Sequence, residues 1–344
     1  MNLIEQVLLD RFDELGLAAL GFGRQLQTTL LTPRFPTSRH VVALVFSGGD
    51  LRPRAVAKMP RRPLDDSGVR TEARVLGLLE SLAAGPVRGV PAVLGTVDVD
   101  GRTMLVETAV HGPALDPAQV LRNPDRSVTA GVRFLSELPV IRGAEDNLDW
   151  YARALTQPLA DLAHLAPDNG EIESLCARTH AVLKPLRDVP LPGVVEHGDM
   201  SHPNLFLNED GSSLLVIDWE RATVDGLPGH DLVFFLQFVS QCRHGAVTRP
   251  AQLAAFDDAF VGPAGWARPV LAGHLVERGV SPELSGLLVV AGWARTAASL
   301  VSRLGAGNPT GGSEATALAE ALTSDRDVAL WRHALDQAEQ GRLG

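Results

Sequence analysis

The residues with the clearest chemical pattern lie between positions 194 and 220. A predicted strand leads into His197-Gly198-Asp199, Asn204 follows Asp199 by five residues, and Asp218 follows it by nineteen. This order suits phosphoryl transfer, in which one carboxylate accepts a proton from the attacking hydroxyl while an amide and a second carboxylate hold Mg²⁺. Alternatively, both aspartates are ordinary turn residues at strand ends. The combination of types in one ordered pattern favours the chemical interpretation.

These motifs resemble the aminoglycoside-phosphotransferase family, which shares the protein-kinase-like fold. The catalytic loop of that family reads H-G-D-x-x-x-x-N, and its metal motif is an Asp preceded by apolar strand residues, as in VIDWE at 216–220. The resemblance covers roughly residues 25–240 and implies ATP or GTP as phosphoryl donor, with Mg²⁺. By this resemblance, Asp199 is the catalytic base and His197 braces the loop. Asn204 and Asp218 are the two metal ligands, and Asp231 is a supporting acid.

The N-terminal third carries a second chemical pattern. Lys58 ends the short apolar run 55–57, and Glu72 lies fourteen residues after Lys58, early in a predicted helix. A kinase needs a strand lysine for the nucleotide phosphates and a helix glutamate that holds this lysine. Taken alone, both residues would be solvated surface charges, the usual state of Lys and Glu. Together with the downstream motif, they predict an ion pair between strand and helix.

Two connecting segments complete the predicted nucleotide site. By position alone, the resemblance assigns adenine binding to the Glu107 carbonyl and the Ala109 N–H. The loop at 32–39 has no glycine, so it departs from a glycine-rich phosphate cover. In that loop, Thr37 and Ser38 are the residues that we expect to meet the phosphates. The alternatives are a plain linker for the first segment and a simple hairpin loop for the second.

The elements that must position these groups follow from hydrophobic periodicity. Predicted strands lie at 25–31, 40–46, 55–58, 92–99, 103–107, 194–196, 205–207 and 214–217, with helices at 69–82 and over most of the chain from 116 onward. This order predicts an α+β fold, and the resemblance adds that it is two-lobed and protein-kinase-like. A small antiparallel β lobe with one main helix comes first, and a larger, mostly helical lobe follows. The predicted division is residues 1–107, a hinge at 108–114, and residues 115–344.

Composition excludes several classes of protein. The 344-residue chain is 45% hydrophobic and 21% charged, as in ordinary soluble globular proteins. Its net charge of −10 argues against binding to nucleic acid. Cys176 and Cys242 are the only cysteines and form no CxxC pair, so they make no zinc site by themselves. Signal-peptide and membrane-span patterns are absent from the sequence, so we expect a cytoplasmic monomer or homodimer without a membrane partner.

Acidic and aromatic residues of the C-terminal lobe are candidates for contact with an acceptor. Glu145 and Asp149, beside Trp150, suit a site for a cationic or sugar ligand, and Trp293 is a candidate to face the same cleft. The alternatives are a helix N-terminus made favourable by the helix dipole, and tryptophans in the core.

Three hypotheses of function follow from the resemblance and from the intact motif set. The first is an antibiotic O-phosphotransferase that confers resistance, acting on an aminoglycoside, a nucleoside or another hydroxylated natural product. The second is a metabolic kinase for a sugar, a choline-like alcohol or an amino alcohol. The third, a catalytically inactive binding module, is disfavoured because inactive copies usually lose at least one motif residue.

Overall fold

The computed structural model describes residues 1–31, 40–63, 65–83, 87–166, 169–301 and 321–343. The strands are β1 Leu26–Leu31, β2 His40–Ser47, β3 Ala55–Pro60, β4 Val93–Val99, β5 Arg102–Thr108, β6 Val140–Arg142, β7 Gly193–Glu196, β8 Leu205–Leu207, β9 Leu214–Val216 and β10 Thr223–Gly226. The α-helices are α1 Leu3–Asp10, α2 Ser67–Leu82, α3 Pro117–Arg122, α4 Pro124–Glu137, α5 Gln157–Leu165, α6 Gly170–Val182, α7 His230–His244, α8 Arg249–Phe260, α9 Ala267–Glu277, α10 Ser285–Ala298 and α11 Arg326–Glu339. A π-helical turn at Ala152–Thr156 leads into α5, and Trp219–Arg221 forms a 3₁₀ turn.

One compact unit combines Met1–Ala114 with the later segment Asn204–Ala222. Its centre is an antiparallel five-stranded sheet in the order β1-β2-β3-β5-β4. The helix α1 begins at a capping box in which Asn2 and Glu5 exchange hydrogen bonds between side chain and backbone. Apolar residues of α1 and the next turns form a core with the inner face of the strands.

The helix α2 packs on the sheet through one face. Val69, Val75, Leu76 and Leu79 are buried at helical spacing, and Glu72 is buried on the same face. The helix contacts β3, β4, β5 and the turn at Trp219–Arg221. A carboxylate in this position is directed into the interior of the unit, so it needs a partner there.

The segment Asn204–Ala222 joins the first unit through a short hairpin. β8 and β9 pair antiparallel, and the Leu207 N–H donates to the Pro113 carbonyl at 2.9 Å. Gly112 permits this approach, because a side chain there would overlap the Leu207 carbonyl. The Ile217 N–H donates to the Asn204 carbonyl at 3.0 Å, so the two ends of the hairpin lie side by side.

The second unit comprises Leu115–Pro203 and Thr223–Gly344. It contains a small antiparallel sheet in the order β10-β7-β6 and most of the helices. α7 is buried along nearly its whole length, with α3, α4, α8 and α10 packed against it. The central strand β7 is buried throughout and leads directly into His197.

The predicted α+β class is confirmed, with an antiparallel sheet and one main helix before a mostly helical remainder. The structure adds two strands that the sequence did not predict, β6 and β10, which flank β7. The predicted lobe and hinge boundaries stay a prediction, and they did not place Asn204–Ala222 with the N-terminal residues. Within the described ranges, the helices lack the length and apolar character needed to cross a bilayer.

Candidate active site

Lys58 lies in the middle of the first unit's sheet. Within β3 it is opposite Val42 of β2 and Leu105 of β5. Only 5% of the residue is exposed, which is unusual for a lysine. The two neighbouring strands and α2 therefore remove the ammonium group from most of its water and fix its position.

Three carboxylates replace that water around the ammonium group. Lys58 Nζ lies 2.7 Å from Glu72 Oε1, 3.3 Å from Asp218 Oδ1 and 3.6 Å from Glu107 Oε1. Burial alone would lower the pKa of Lys58, but the carboxylates raise it well above its usual value. Lys58 therefore stays charged, and the predicted ion pair between Lys58 and Glu72 is present.

The Glu107 side chain is the member of this cluster that the sequence did not predict. Only 2% of the residue is exposed, and Oε2 has no hydrogen-bond partner among the described residues. Burial raises the pKa of Glu107 to about 8, with the Lys58 ammonium opposing that shift. The available signal was an acid directly after the apolar run 104–106 within a strand, whereas the prediction concerned only its backbone carbonyl.

Asp218 lies where the hairpin ends and has an unusual backbone conformation. Its φ of 70° and ψ of 62° are left-handed, a region that Asp tolerates better than most residues. The next N–H, of Trp219, donates to Glu72 Oε1 at 3.0 Å. Glu72 thus binds both Lys58 and the turn that carries Asp218. The Asp218 side chain is 40% exposed, so it can contact Lys58 and also reach a ligand in solvent.

Asn204 and Asp218 have the chemistry that suits Mg²⁺. Both offer oxygen ligands, and Mg²⁺ commonly takes one or two protein oxygens together with water and substrate phosphates. The backbone bond between Ile217 and Asn204 keeps the two residues at adjacent ends of the hairpin. Across the described ranges, this site included, no group of three or more His, Cys, Asp or Glu residues is arranged to hold a metal ion. The assignment of these two ligands stays a prediction.

The His197-Gly198-Asp199 loop belongs to the second unit and is anchored by Asp231. The His197 N–H donates to Asp231 Oδ2 at 2.6 Å, and the Gly198 N–H donates to Oδ1 at 2.9 Å. Burial would raise the pKa of Asp231, but hydrogen bonds and the nearby His230 lower it overall. The contact by which we expected Asp231 to support this loop is therefore present.

Hydrogen bonds to side chains within the loop also stabilise its conformation. The Asp199 N–H donates to Nδ1 of the fully buried His197 at 3.2 Å. Ser201 donates from its backbone N–H to the Asp199 carbonyl at 2.8 Å and from Oγ to Asp199 Oδ1 at 3.3 Å. The backbone bonds hold the loop, and the Ser201 hydroxyl helps to orient the Asp199 carboxylate, as a general base requires. The catalytic roles of Asp199 and His197 stay predictions.

Glu196 immediately precedes the loop, and its contacts were not predicted from the sequence. Its Oε2 accepts from Arg295 Nε at 2.7 Å, and its Oε1 accepts from the Leu227 N–H at 2.5 Å. Gly226 is required beside it, because a side chain there would overlap Glu196. A charged residue after two valines at the end of a buried strand was the signal that could have pointed to this network.

The predicted contacts with adenine and phosphate have different outcomes. The Ala109 N–H already donates to the Arg54 carbonyl at 3.0 Å, so adenine would have to share or replace that bond. The use of the Glu107 carbonyl and of the Ala109 N–H stays a prediction. Thr37 and Ser38 lie outside the residues that the structure describes.

The four residues proposed for acceptor contact lie in two environments. Glu145 and Asp149 are exposed, and Asp149 forms an ion pair with Arg153 at 2.5 Å. Trp150 is buried and donates from Nε1 to the Val189 carbonyl at 2.9 Å. Trp293 is buried as well, but it lines a cavity. Contact of these residues with an acceptor stays a prediction.

Comparison with known protein families gives a match over residues 38–274, to the model of the phosphotransferase enzyme family, APH. This match spans more than half of the chain. The chain belongs to the phosphotransferase enzyme family. The predicted resemblance and the prediction of a phosphotransferase with an alcohol group as acceptor are thereby confirmed. No curated protein matches the chain in sequence.

Solved structures of this family and of a related kinase share the fold. A thermostable mutant of aminoglycoside phosphotransferase APH(4)-Ia, in a ternary complex with AMP-PNP and hygromycin B, is 15% identical with a TM-score of 0.52, over 97% of this chain and 99% of that one. An ethanolamine kinase from Plasmodium vivax is 10% identical with a TM-score of 0.53, over 93% of this chain and 87% of that one. At these identities the likeness establishes the fold, and the predicted two-lobed, protein-kinase-like architecture is confirmed.

Proposed function

We propose that this phosphotransferase is a small-molecule kinase that moves the γ-phosphate of ATP or GTP to a hydroxyl group of its acceptor. The observation that carries the proposal is the buried Lys58, held by Glu72 at 2.7 Å and directed at Asp218 at 3.3 Å. A buried ammonium group beside a half-exposed carboxylate suits a ligand that brings both phosphates and a cation. A plain structural ion pair has no need of the third, half-exposed partner.

In this proposal the first unit binds the nucleotide. Lys58 contacts the α- and β-phosphates, and Glu72 keeps its ammonium group in place. Asn204 and Asp218 hold Mg²⁺, which when bound neutralises charge on the phosphates. The Glu107 carbonyl and the Ala109 N–H are the proposed adenine contacts, and Thr37 and Ser38 the proposed phosphate contacts.

The second unit supplies the base. Asp199 orients the acceptor hydroxyl and accepts its proton as the oxygen attacks the γ-phosphorus. His197 and Asp231 act on Asp199 through the loop backbone, since His197 Nδ1 accepts from the Asp199 N–H and Asp231 from the two preceding N–H groups. These two residues therefore position the base.

For the acceptor, we propose a hydroxylated antibiotic, so that the enzyme confers resistance. The structure of APH(4)-Ia with AMP-PNP and hygromycin B supports the reaction class through the shared fold. The alternative is a metabolic kinase for a sugar, a choline-like alcohol or an amino alcohol, which the fold shared with the ethanolamine kinase supports. Both versions place the protein in the cytoplasm, as a monomer or homodimer, where nucleotide and Mg²⁺ are available.

A substrate panel tests the proposal directly. The full chain is incubated with ATP or GTP, Mg²⁺, and one of hygromycin B, streptomycin, chloramphenicol, uridine, ethanolamine or choline, and products are identified by mass spectrometry. We expect one acceptor to gain a phosphoryl group, and Asp199→Asn to slow its formation by about 10²–10⁴-fold. Failure of the chain to bind either nucleotide, measured by calorimetry with Mg²⁺, would contradict the kinase function.

A further inference from the structure

The second unit contains a cavity of about 110 Å³ next to the Asp199 loop. About 10–15 Å³ is enough to hold one water molecule, so this cavity can admit part of a larger ligand. Its walls include the aromatic side chains of Phe234, Phe238 and Trp293 and five polar ones: Ser201, His202, Gln237, Gln241 and Arg326.

Rigid elements supply this wall. Phe234, Gln237 and Phe238 occupy positions i, i+3 and i+4 of α7, so they lie on one face of that helix. Trp293 comes from α10, and Arg326 is the first residue of α11. A site on three packed helices holds its groups more firmly than a site on loops.

A hydrogen bond and a charge interaction connect the cavity to Asp199. Ser201, which lines the cavity, donates from Oγ to Asp199 Oδ1 at 3.3 Å. Burial would lower the pKa of Arg326, but the charges of Asp327 and Asp199 raise it overall, so Arg326 lies within electrostatic reach of Asp199. A molecule in the cavity is therefore adjacent to the proposed base.

Three residues of the wall, His202, Gln237 and Trp293, each carry a buried side-chain nitrogen or oxygen without a hydrogen-bond partner among the described residues. Trp293 Nε1 and Gln237 Oε1 have no hydrogen-bond partner among the described residues, and each residue is only 1% exposed. The amide of Gln237 is oriented by its Nε2, which donates to the Gln252 carbonyl at 3.0 Å. Native proteins pair nearly all such groups. Trp293 Nε1 is a donor and Gln237 Oε1 an acceptor, the pair that satisfies hydroxyl groups of a ligand that reaches them.

The charge of the wall selects against cations. None of the described residues that line the cavity is acidic, and Arg326 is a cation. Its guanidinium contacts Asp327 at 2.8 Å and lies 5.5 Å from the centre of the Phe234 ring. An ammonium group in the cavity would lose water and meet a guanidinium, while the nearby carboxylates of Asp327 and Asp199 already interact with Arg326 and Ser201.

We propose that this cavity binds the acceptor, and that the acceptor is an uncharged, ring-bearing alcohol instead of a polycation. Its ring packs against Phe234, Phe238 and Trp293, and its polar groups bond Trp293 Nε1 and Gln237 Oε1. The inference rests on the proposed kinase function. In the transfer, the acceptor oxygen forms a bond to the γ-phosphorus, the bond from that phosphorus to the bridging oxygen breaks, the nucleoside diphosphate leaves, and Asp199 takes the hydroxyl proton.

Direct binding tests the charge preference. The full chain is titrated by calorimetry with chloramphenicol and uridine, two uncharged ring-bearing alcohols, and with two cations: hygromycin B and the deacylated amine of chloramphenicol. The amine keeps the ring and both hydroxyls but carries an ammonium group. We expect at least one uncharged alcohol to bind about 10-fold or more tightly than both cations. Equal or tighter binding of the cations would overturn the proposal.

Two variants locate the binding in this cavity. Trp293→Phe keeps a ring but removes the Nε1 donor, so the affinity for the uncharged alcohol should fall about 5- to 10-fold. Trp266→Phe is the matched control, because Trp266 Nε1 is also buried without a partner but lies outside this cavity. Arg326→Gln should reduce the preference for the uncharged compound over its amine by about 10-fold. Equal affinities in the wild type and in both cavity variants would contradict the assignment.

Phosphoryl transfer separates this inference from the proposed function. If ATP or GTP phosphorylates hygromycin B or ethanolamine while the uncharged alcohols do not bind, the kinase stands and the cavity proposal fails. If an uncharged alcohol binds with the expected dependence on Trp293 but no acceptor is phosphorylated and no nucleotide binds, the binding site stands and the kinase function fails.

Discussion

Lys58 shows how a single residue can join a sheet, a helix and a distant turn. One ammonium group faces Glu72, Glu107 and Asp218, so the cluster has more negative than positive charge when all its acids are ionised. Three buried or half-buried acids around one base are stable only if one of them keeps its proton or a further cation arrives. The raised pKa of Glu107 corresponds to the first solution, and bound Mg²⁺ would be the second.

Removal of the Lys58 charge should impair both nucleotide binding and turnover. We expect Lys58→Ala to lower kcat/KM for the nucleotide about 10- to 100-fold, the range for loss of a charge-assisted hydrogen bond. Glu72→Gln should have a smaller effect, because it keeps a hydrogen-bond acceptor for the ammonium group. Steady-state kinetics with varied nucleotide measures both, with Arg62→Ala, an exposed cation after the same strand, as the control. Wild-type kinetics for Lys58→Ala would exclude it from the nucleotide site.

Glu107 should make the stability of the protein depend on pH. In the folded protein the pKa of Glu107 is about 8, against 4.5 for the ordinary side chain. At pH values between these two, the Glu107 carboxyl group therefore takes up a proton when the chain folds. Its contribution to the free energy of unfolding is therefore fully present below pH 4.5 and is lost as the pH rises toward 8. Urea unfolding from pH 5 to pH 8 should show a shallower decline for Glu107→Gln than for the wild type. The exposed control Glu209→Gln should match the wild type, and equal slopes for all three would contradict the assignment.

At the scale of elements, the packing of α4 on α7 depends on a glycine. The structure places Gly131 of α4 against the ring of Phe235, closer than a side chain at this position would permit. Replacement by Ala gains about 1 kcal/mol of helix propensity but forces a fully buried ring to move, which costs about 1–3 kcal/mol. We therefore expect Gly131→Ala to lower the free energy of unfolding.

A second glycine in the same unit provides the matched control. Gly273 lies in α9, is exposed, and has no atoms near the position of an added side chain. Gly273→Ala should therefore stabilise the protein by about 0.5–1 kcal/mol. Urea unfolding of both variants measures the difference, and a Gly131→Ala protein as stable as Gly273→Ala would show that α4 and α7 have room to spare.

The long elements could be predicted from the sequence because their patterns are local. α2 has apolar residues at helical spacing, and β2 to β5 are long enough to show strand composition. β6 and β10 have three and four residues, and their hydrogen-bonding partner β7 is distant in sequence from both. β8 and β9 are as short, but they form a local hairpin around a turn that the sequence shows, whereas β6 and β10 have no such local signal and only the tertiary structure reveals them.

The candidate site also divides into residues that local sequence predicts and residues whose contacts only the tertiary structure reveals. His197, Asp199, Asn204 and Asp218 form a compact motif whose spacing alone suggests the chemistry. The side-chain contacts of Glu107 and Glu196 depend on which residues lie opposite in the folded unit. A glutamate in a strand is usually solvated, so local sequence favours the wrong environment for both.

At the scale of the whole molecule, a nucleotide should stabilise the fold through Asp218. A ligand at 100 times its Kd adds about 2.7 kcal/mol to the free energy of unfolding. We expect Mg²⁺ with AMP-PNP to raise the Tm of the wild type and to leave that of Asp218→Asn unchanged. The Asn side chain keeps the tolerance for a left-handed backbone but lacks the charge. Thermal denaturation measures this effect, with Asp210→Asn in an exposed turn as the control. An equal rise of Tm in all three would remove Asp218 from the metal site.

The first unit is discontinuous in the chain, and this affects the order in which it can be completed during synthesis. Residues 1–114 emerge first, with Lys58, Glu72 and Glu107 among them, whereas Trp219 and Asp218 lie in the segment that ends at Ala222. At about 5–20 residues per second, a ribosome needs roughly 5–20 s to add residues 115–222. A sheet that forms within that interval would have Lys58 beside only two of its three acids, and Glu72 would lack the Trp219 N–H. A gene fragment ending at position 114 would therefore encode a sheet that lacks Asp218, the third carboxylate of the cluster around Lys58.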